Sequence, residues 1–212
     1  MPCGRLDQIS TLLGKAASVV YIDCKSWEVR NIAAPEGTFV VCNSGAKHEL
    51  TGGEYAELRR NCEEAAKKLG VGSLREVSSD QVVDAADRLP PREFDCAFHV
   101  TTEIERVGIG AGSLEQQSDS ADFGSLMLAS HSSSSSCLCN STKELDILVD
   151  LARKHPGCLG ARLTGGGFGG ATINLVKSSL VPDFKRHMAK MYQEATGLVM
   201  KPMVCEIVDG AQ

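Results

Sequence analysis

No apolar run in this sequence approaches the roughly 18 residues needed to cross a bilayer, and its first residues lack the charged-then-apolar pattern of a secretory signal. Basic residues are not in excess. The 22 Lys and Arg stand against 27 Asp and Glu for a net charge of −5, which argues against nucleic acid as main partner. The spacing C-x-x-C is absent. Nine cysteines are scattered at 3, 24, 42, 62, 96, 137, 139, 158 and 205, and only Cys137 and Cys139 lie close together. Such a dispersed, odd set does not suit a zinc site and reads as the reduced thiols of a cytoplasmic protein. The expectation is a cytoplasmic monomer with no membrane partner, no nucleic-acid partner and no metal held by its own residues. What is present suits a core: 212 residues, 42% hydrophobic and 23% charged, make one domain or one and a half.

The stretch Gly160 to Val176 organises the rest. Five of the six residues Gly165, Gly166, Gly167, Phe168, Gly169 and Gly170 are glycine, and a strand-like alternation follows. Glycine runs weaken helices and strands, so a fold keeps them where the chain turns at positive φ or where backbone approaches another group closely. Two readings stay open. One is a tight hairpin with no ligand; the other is a loop whose amides hold an anion. Neither a Walker pattern nor G-x-G-x-x-G before a helix is present to decide between them.

Taken in order, the pattern predicts a short helix from Asp7 to Gly14, with Asp7 as cap or as a carboxylate held ionised. Strands follow over Ala17–Asp23, Trp27–Ala33 and Thr38–Asn43, joined by short turns and read as an antiparallel meander. A polar loop from Ser44 to Gly53 marks the expected hand-over between domains. Capping boxes at Thr51-x-x-Glu54, Ser73-x-x-Glu76 and Ser141-x-x-Glu144 predict helix starts. Further helices are expected over Ser79–Leu89, Arg92–Val107, Ala121–His131 and Pro182–Ala195, the last ended by Gly197. Ser132 to Ser136 read as a flexible low-complexity loop. Strands close the chain at Ala171–Val176 and within Leu198–Val208, so the class is α+β, antiparallel strands with packed helices. His48, His99 and His131 lack ligand-like spacing and read as structural, Lys47 as a solvated loop residue, and Glu63-Glu64 with Lys67-Lys68 as i, i+4 pairs.

These residues carry a resemblance. Gly160–Val176 looks like the third glycine-rich motif of the GHMP small-molecule kinases, and the rest resembles the galactokinase family. The matching pieces are Pro2-Cys3-Gly4-x-x-Asp7-Gln8, Ile22-Asp23-Cys24, Asn43-Ser44 with Lys47-His48-Glu49-Leu50, Glu54-Tyr55 with Arg59-Arg60-x-Cys62-Glu63, and Ser73-Leu74-Arg75-Glu76-Val77. Further on come His99-Val100 with Glu103 and Arg106, Leu126-Met127 with Ser130-His131, Glu144-Leu145-Asp146, and Asp209-Gly210-Ala211. The resemblance implies a GHMP-kinase-like C-terminal domain over 46–212, after a remnant of the N-terminal domain over 1–45. It implies Asp7 as base for the anomeric hydroxyl of galactose attacking the γ-phosphate of ATP, with Gly4 and Tyr55 as sugar contacts. It places the hairpin Gly165–Gly170 beneath the nucleotide phosphates, across a cleft from Asp7, and it implies ATP with Mg2+.

The departures are as definite. The family's Gly-Glu-His-Thr-Asp-Tyr segment for the sugar and its Pro-x-x-x-Gly-Leu-Ser-Ser-Ser loop for the triphosphate are both missing from these residues, and Ser132–Ser136 cannot replace the latter. Arg5 stands where the family has an apolar residue, and Ser132–Asn140 replaces a charged and aromatic run. The chain therefore resembles the C-terminal part only, and by itself is expected not to phosphorylate galactose. A GHMP kinase for a related sugar, such as N-acetylgalactosamine, arabinose or galacturonate, and a non-catalytic sugar-binding or regulatory protein are the alternatives.

Overall fold

The computed structural model describes residues 6–46 and 53–211. Helix α1 (Leu6–Leu13) leads into β1 (Ser18–Ile22), β2 (Val29–Ala33) and β3 (Thr38–Asn43). Four helices follow: α2 (Glu54–Leu69), α3 (Ser79–Asp84), α4 (Pro91–Glu115) and α5 (Ser120–Ser133). Then come α6 (Lys143–Arg153), β4 (Cys158–Thr164), β5 (Ala171–Val176), α7 (Val181–Thr196) and β6 (Met203–Cys205). The class is α+β, as expected.

The expected three-stranded meander does not form. Strands β1 and β2 pair with each other, Ser18 opposite Ala33 and Ile22 opposite Val29. Strand β3 leaves them and lies inside an antiparallel sheet of order β4-β5-β3-β6, with Thr38 opposite Val176 and Phe39 opposite Cys205. Burial explains the choice. Val40 and Cys42, two apart on one face of β3, have no exposed surface, whereas β1 is half-buried along its whole length. That face of β3 meets Leu145, Leu148, Ala152, Phe184, Met188 and Tyr192 of α6 and α7 in the main core. Tyr192 ties the two sides by donating its hydroxyl to the Ser44 carbonyl at 2.8 Å. A second core joins α2, α3 and α4 through Ala65, Ala66, Val82, Leu89 and Ala97.

Local signals place most helix ends. Gly70 and Gly197 stop α2 and α7 in the left-handed conformation, and Pro91 opens α4 at its first turn. The capping boxes fall elsewhere than expected. Thr51 lies outside the described residues, and α2 starts after Gly53 with no side-chain cap. A single 3-10 turn, Leu74–Glu76, follows Ser73. The reciprocal box is Ser78–Gln81, whose two bonds measure 3.2 and 2.8 Å. Thr142 caps α6, while Ser141 donates to Asp146 Oδ1 at 2.6 Å. Glu63 pairs with Arg59 at 2.8 Å, and Lys68 reaches Glu93 on α4 at 2.6 Å.

The serine run is ordered. Ser132 and Ser133 finish α5, and Ser134–Leu138 continue as a π-helical turn. Its hydroxyls have partners that composition does not reveal: Ser136 Oγ donates to the Ser132 carbonyl at 2.8 Å, and Ser135 Oγ to Asp146 Oδ2 at 3.2 Å. Arg92 on α4 donates to the carbonyls of Cys137 and Leu138 at 2.5 and 2.6 Å, satisfying groups a helix end would leave orphaned.

Candidate functional site

The glycine stretch is the connection of the β4–β5 hairpin, whose last pair is Thr164 opposite Ala171. Gly165, Gly167, Phe168, Gly169 and Gly170 all have positive φ, a conformation that glycine adopts freely at four of these five positions and that residues with side chains adopt only at a cost. The loop rests on Asn140, just past the π-helical turn. The Phe168 amide donates to the Asn140 carbonyl at 2.6 Å, and Asn140 Nδ2 donates to the Gly166 carbonyl at 3.1 Å. Gly170 accepts from the Ser44 amide at 2.8 Å, which joins the loop to the end of β3. Among the described residues, Phe168 alone of the six has its amide taken by a backbone carbonyl outside the sheet ladder. The loop thus suits an anion, since it offers N–H donors and no side-chain charge. It brings no carboxylate or hydroxyl, so it offers a magnesium ion nothing beyond backbone carbonyls.

Asp7 lies in the first turn of α1, exposed, on a helix with no buried residue. The end of the chain holds that helix in place. Gly210 donates its amide to the Gly14 carbonyl and Ala211 to the Thr11 carbonyl, both at 2.8 Å, and Asp209 Oδ1 accepts from the Ala16 amide at 2.9 Å. The sequence match at Asp209-Gly210-Ala211 therefore has a physical role that spacing could not reveal. Tyr55 occupies the first turn of α2 with half its surface exposed. Gly4 and Arg5 lie outside the described residues, as do Lys47 and His48. Asp7, Tyr55 and the glycine loop stand on three separate elements, and no hydrogen bond or ion pair among the described residues joins their side chains.

A polar cluster that the sequence reading left without a role lies beside α1. A cavity of about 470 Å³ is lined by Leu6, by β1, and by Glu103, Arg106, Ser130 and Arg162. Ser130 Oγ donates to Glu103 Oε2 at 2.8 Å, and Arg106 stands 3.0 Å from Glu103 Oε1. These residues come from three of the matching pieces scattered along the sequence, and their convergence was the signal available.

His99 and His131 border this cluster as structural groups. His99 Nδ1 meets Ser133 Oγ at 2.9 Å. His131 Nδ1 accepts from the Leu163 amide at 3.3 Å while its Nε2 faces Asp146 Oδ1 at 3.2 Å. Burial holds both imidazoles below the usual histidine range, against the opposing pull of Glu103 and Asp146 respectively. The native state thus prefers them neutral, and the unfolded chain takes up their protons first, near pH 6.5. Stability is therefore lost as pH falls through that value. Asp23, Glu76, Glu105 and Asp183, held below the carboxylate range chiefly by hydrogen bonds, add a further loss below about pH 4. Thermal melts should be level from about pH 8 to 7 and decline below about 6.5. A melting temperature that rises on acidification would contradict this account.

Known proteins are similar to this chain in sequence and in fold. A family model described as GHMP kinases C terminal matches residues 112–194. Galactokinase from Chloroflexus aggregans is 41% identical over 209 residues, covering 96% of this chain and 53% of that protein. Human (Homo sapiens) galactokinase is 40% identical over 194 residues, covering 91% of this chain and 49% of that protein. The crystal structure of Lactococcus lactis galactokinase complexed with galactose superposes with a TM-score of 0.94 at 28% identity, covering 100% of this chain and 56% of that one. The chain thus has the C-terminal fold of the GHMP kinases. Within that class it resembles the C-terminal part of galactokinases, and it spans about half the length of the relatives it matches.

Proposed function

We propose that this chain is the galactokinase-like part of a sugar kinase that transfers the γ-phosphoryl group of ATP to the anomeric hydroxyl of galactose. The observation that carries this reading is the 41% identity to a galactokinase over 96% of the chain. Asp7 is the base: a carboxylate within reach of the hydroxyl orients it and takes its proton as the oxygen attacks phosphorus. Tyr55 offers the sugar a phenol on an apolar body, and Gly4 lets backbone approach a sugar hydroxyl. The amides of Gly165–Gly170 face the phosphates. Magnesium would neutralise phosphate charge, but we assign it no ligand in this chain. In the domain division we favour, residues 1–45 belong to the N-terminal kinase domain and 46–212 to the C-terminal one, with β3 as the strand that links them through the larger sheet.

Neither the family's sugar segment nor its triphosphate loop occurs in these 212 residues, so we expect no turnover from the chain alone. Calorimetric titration with galactose and with MgATP, beside a coupled kinase assay, tests this. Heat with galactose that vanishes in Asp7→Ala, without turnover, supports a sugar-binding part of a kinase. Silence towards both ligands means that the binding surface needs the missing motifs. Measurable turnover would overturn the expected inactivity while leaving the assignment of Asp7 to be tested by the same variant.

A further inference from the structure

The proposed phosphoryl transfer leaves the cavity beside α1 without a role, and the charges that line it do not balance. Glu103 and Arg106 on α4 and Arg162 on β4 set one carboxylate against two guanidiniums. Glu103 is already engaged, with Ser130 donating to one oxygen at 2.8 Å and Arg106 standing 3.0 Å from the other. That ion pair is not aligned as a hydrogen bond, so the buried Arg106 Nη1 has no acceptor among the described residues. Arg162 donates Nε to the Leu163 carbonyl at 3.1 Å, and among the described residues no carboxylate lies within ion-pair distance of it. Asp146, across the His131 ring from β4, is engaged by His131, Ser135 and Ser141. The rest of the wall is apolar. Val19, Val20 and Ile32 of the β1–β2 hairpin and Phe123, Leu126 and Met127 of α5 line the same space of about 470 Å³, a volume that suits a small-molecule ligand. A guanidinium in such a wall is costly unless an anion pairs with it.

We propose that this cavity binds a small monocarboxylate with an apolar body, its carboxylate held by Arg162 and Arg106 and its body by the hairpin and α5. The inference stands apart from the kinase reading, which uses none of these residues. Charge selects a monoanion. Glu103 fixes Arg106 and is offset by it, so the charge left for a ligand is that of Arg162, with Arg106 Nη1 as a further donor. A phosphate dianion would exceed that charge, and a cationic amphiphile would add to it. Geometry selects a carboxylate, whose two oxygens accept parallel N–H bonds from a guanidinium. The wall selects an apolar body, because a sugar would leave hydroxyls unsatisfied against valine, isoleucine and phenylalanine. Leu6 also lines the space, more than half exposed on a helix that buries no residue. An occupant would therefore give α1 an apolar contact and steady it.

The test is calorimetric titration of the native chain near neutral pH with three probes of equal chain length, sodium octanoate, octanol and octylammonium chloride. Hydrogen exchange of the octanoate-saturated chain then locates the site. The expected result is saturable, single-site binding of octanoate, about tenfold or more tighter than that of octanol, with no binding of octylammonium. Exchange should slow in the segments that line the cavity, namely α1, β1, α5 and the half of α4 from Val107 onward. Arg162→Met should weaken octanoate about tenfold and leave octanol unchanged. Ala111→Phe, which fills the space, should abolish binding of both. Absence of octanoate binding, equal affinity for octanoate and octanol, or slowed exchange confined to other segments each overturns the proposal. Those three results are read on the unmutated chain and do not depend on how well either variant folds.

Discussion

Gly124→Ala is expected to destabilise the fold by about 3 kcal/mol or more, against a total for such a domain of about 5–15 kcal/mol. Helix α5 crosses β4 at this residue with no side chain between the two backbones. A Cβ at Gly124 would come within 1.9 Å of the Leu159 carbonyl oxygen and 2.4 Å of its carbonyl carbon. The approach is reciprocal, since a Cβ at Gly160 would lie 2.4 Å from the Gly124 Cα. No rotamer change relieves a collision between main-chain atoms, so α5 must move away from β4. That movement would loosen Met127, Ser130 and His131, all buried on α5. Gly112→Ala on α4 is the control. A Cβ there meets nothing within 4 Å, and replacing a helical glycine should add about 0.5–1 kcal/mol. Urea denaturation of both variants measures the difference. Equal stability of Gly124→Ala and the parent would be incompatible with this contact.

Gly167→Ala and Gly166→Ala should separate by about 2–4 kcal/mol although they are neighbours in one loop. A Cβ at Gly167 would lie 2.1 Å from the Asn140 carbonyl oxygen and 2.8 Å from Asn140 Nδ2, on backbone with φ at +79. The loop must then leave Asn140 and give up the bonds to Phe168 and Gly166. A Cβ at Gly166 meets nothing within 4 Å, and its φ is not in the left-handed region. Gly166→Ala should therefore leave stability within about 0.5 kcal/mol of the parent. Hydrogen exchange at the Phe168 amide gives a second reading, rising at least tenfold in Gly167→Ala and staying unchanged in Gly166→Ala. Similar losses in both would mean that Asn140 does not hold the loop. The tolerated variant also probes function. If Gly166→Ala weakens nucleotide or phosphate binding in a protein of unchanged stability, its bare backbone faces the ligand.

The candidate site was partly legible. Asp7, Tyr55 and the glycine run stood out as residue types in order, and the hairpin reading of the glycines matches the β4–β5 connection. The cluster of Glu103, Arg106, Ser130 and Arg162 did not stand out, because its members are up to 59 residues apart and adjoin only after α4, α5 and β4 have packed. Ser132–Ser136 misled for the same reason. Five serines have no apolar pattern to announce a helix, and their order depends on Asp146 and on Arg92, the latter forty positions upstream of Ser132. Helix α4 ran past the expected end at Val107, through Gly108, Gly110 and Gly112, because its far half packs on α5, with Phe123 and Leu126 beside Gly110.

By itself, the sequence determined the elements whose causes are local. Apolar spacing sets α2, α6 and α7, glycine at positive φ ends α2 and α7, and alternation marks the strands. Only the tertiary structure decided which strands pair, that Asn140 carries the glycine loop, and that the residues after β6 anchor the helix bearing Asp7. The reason is one of range. A cap or a helical face is built from residues within a few positions of one another, whereas strand pairing and buried polar contacts depend on which distant surfaces exclude water together.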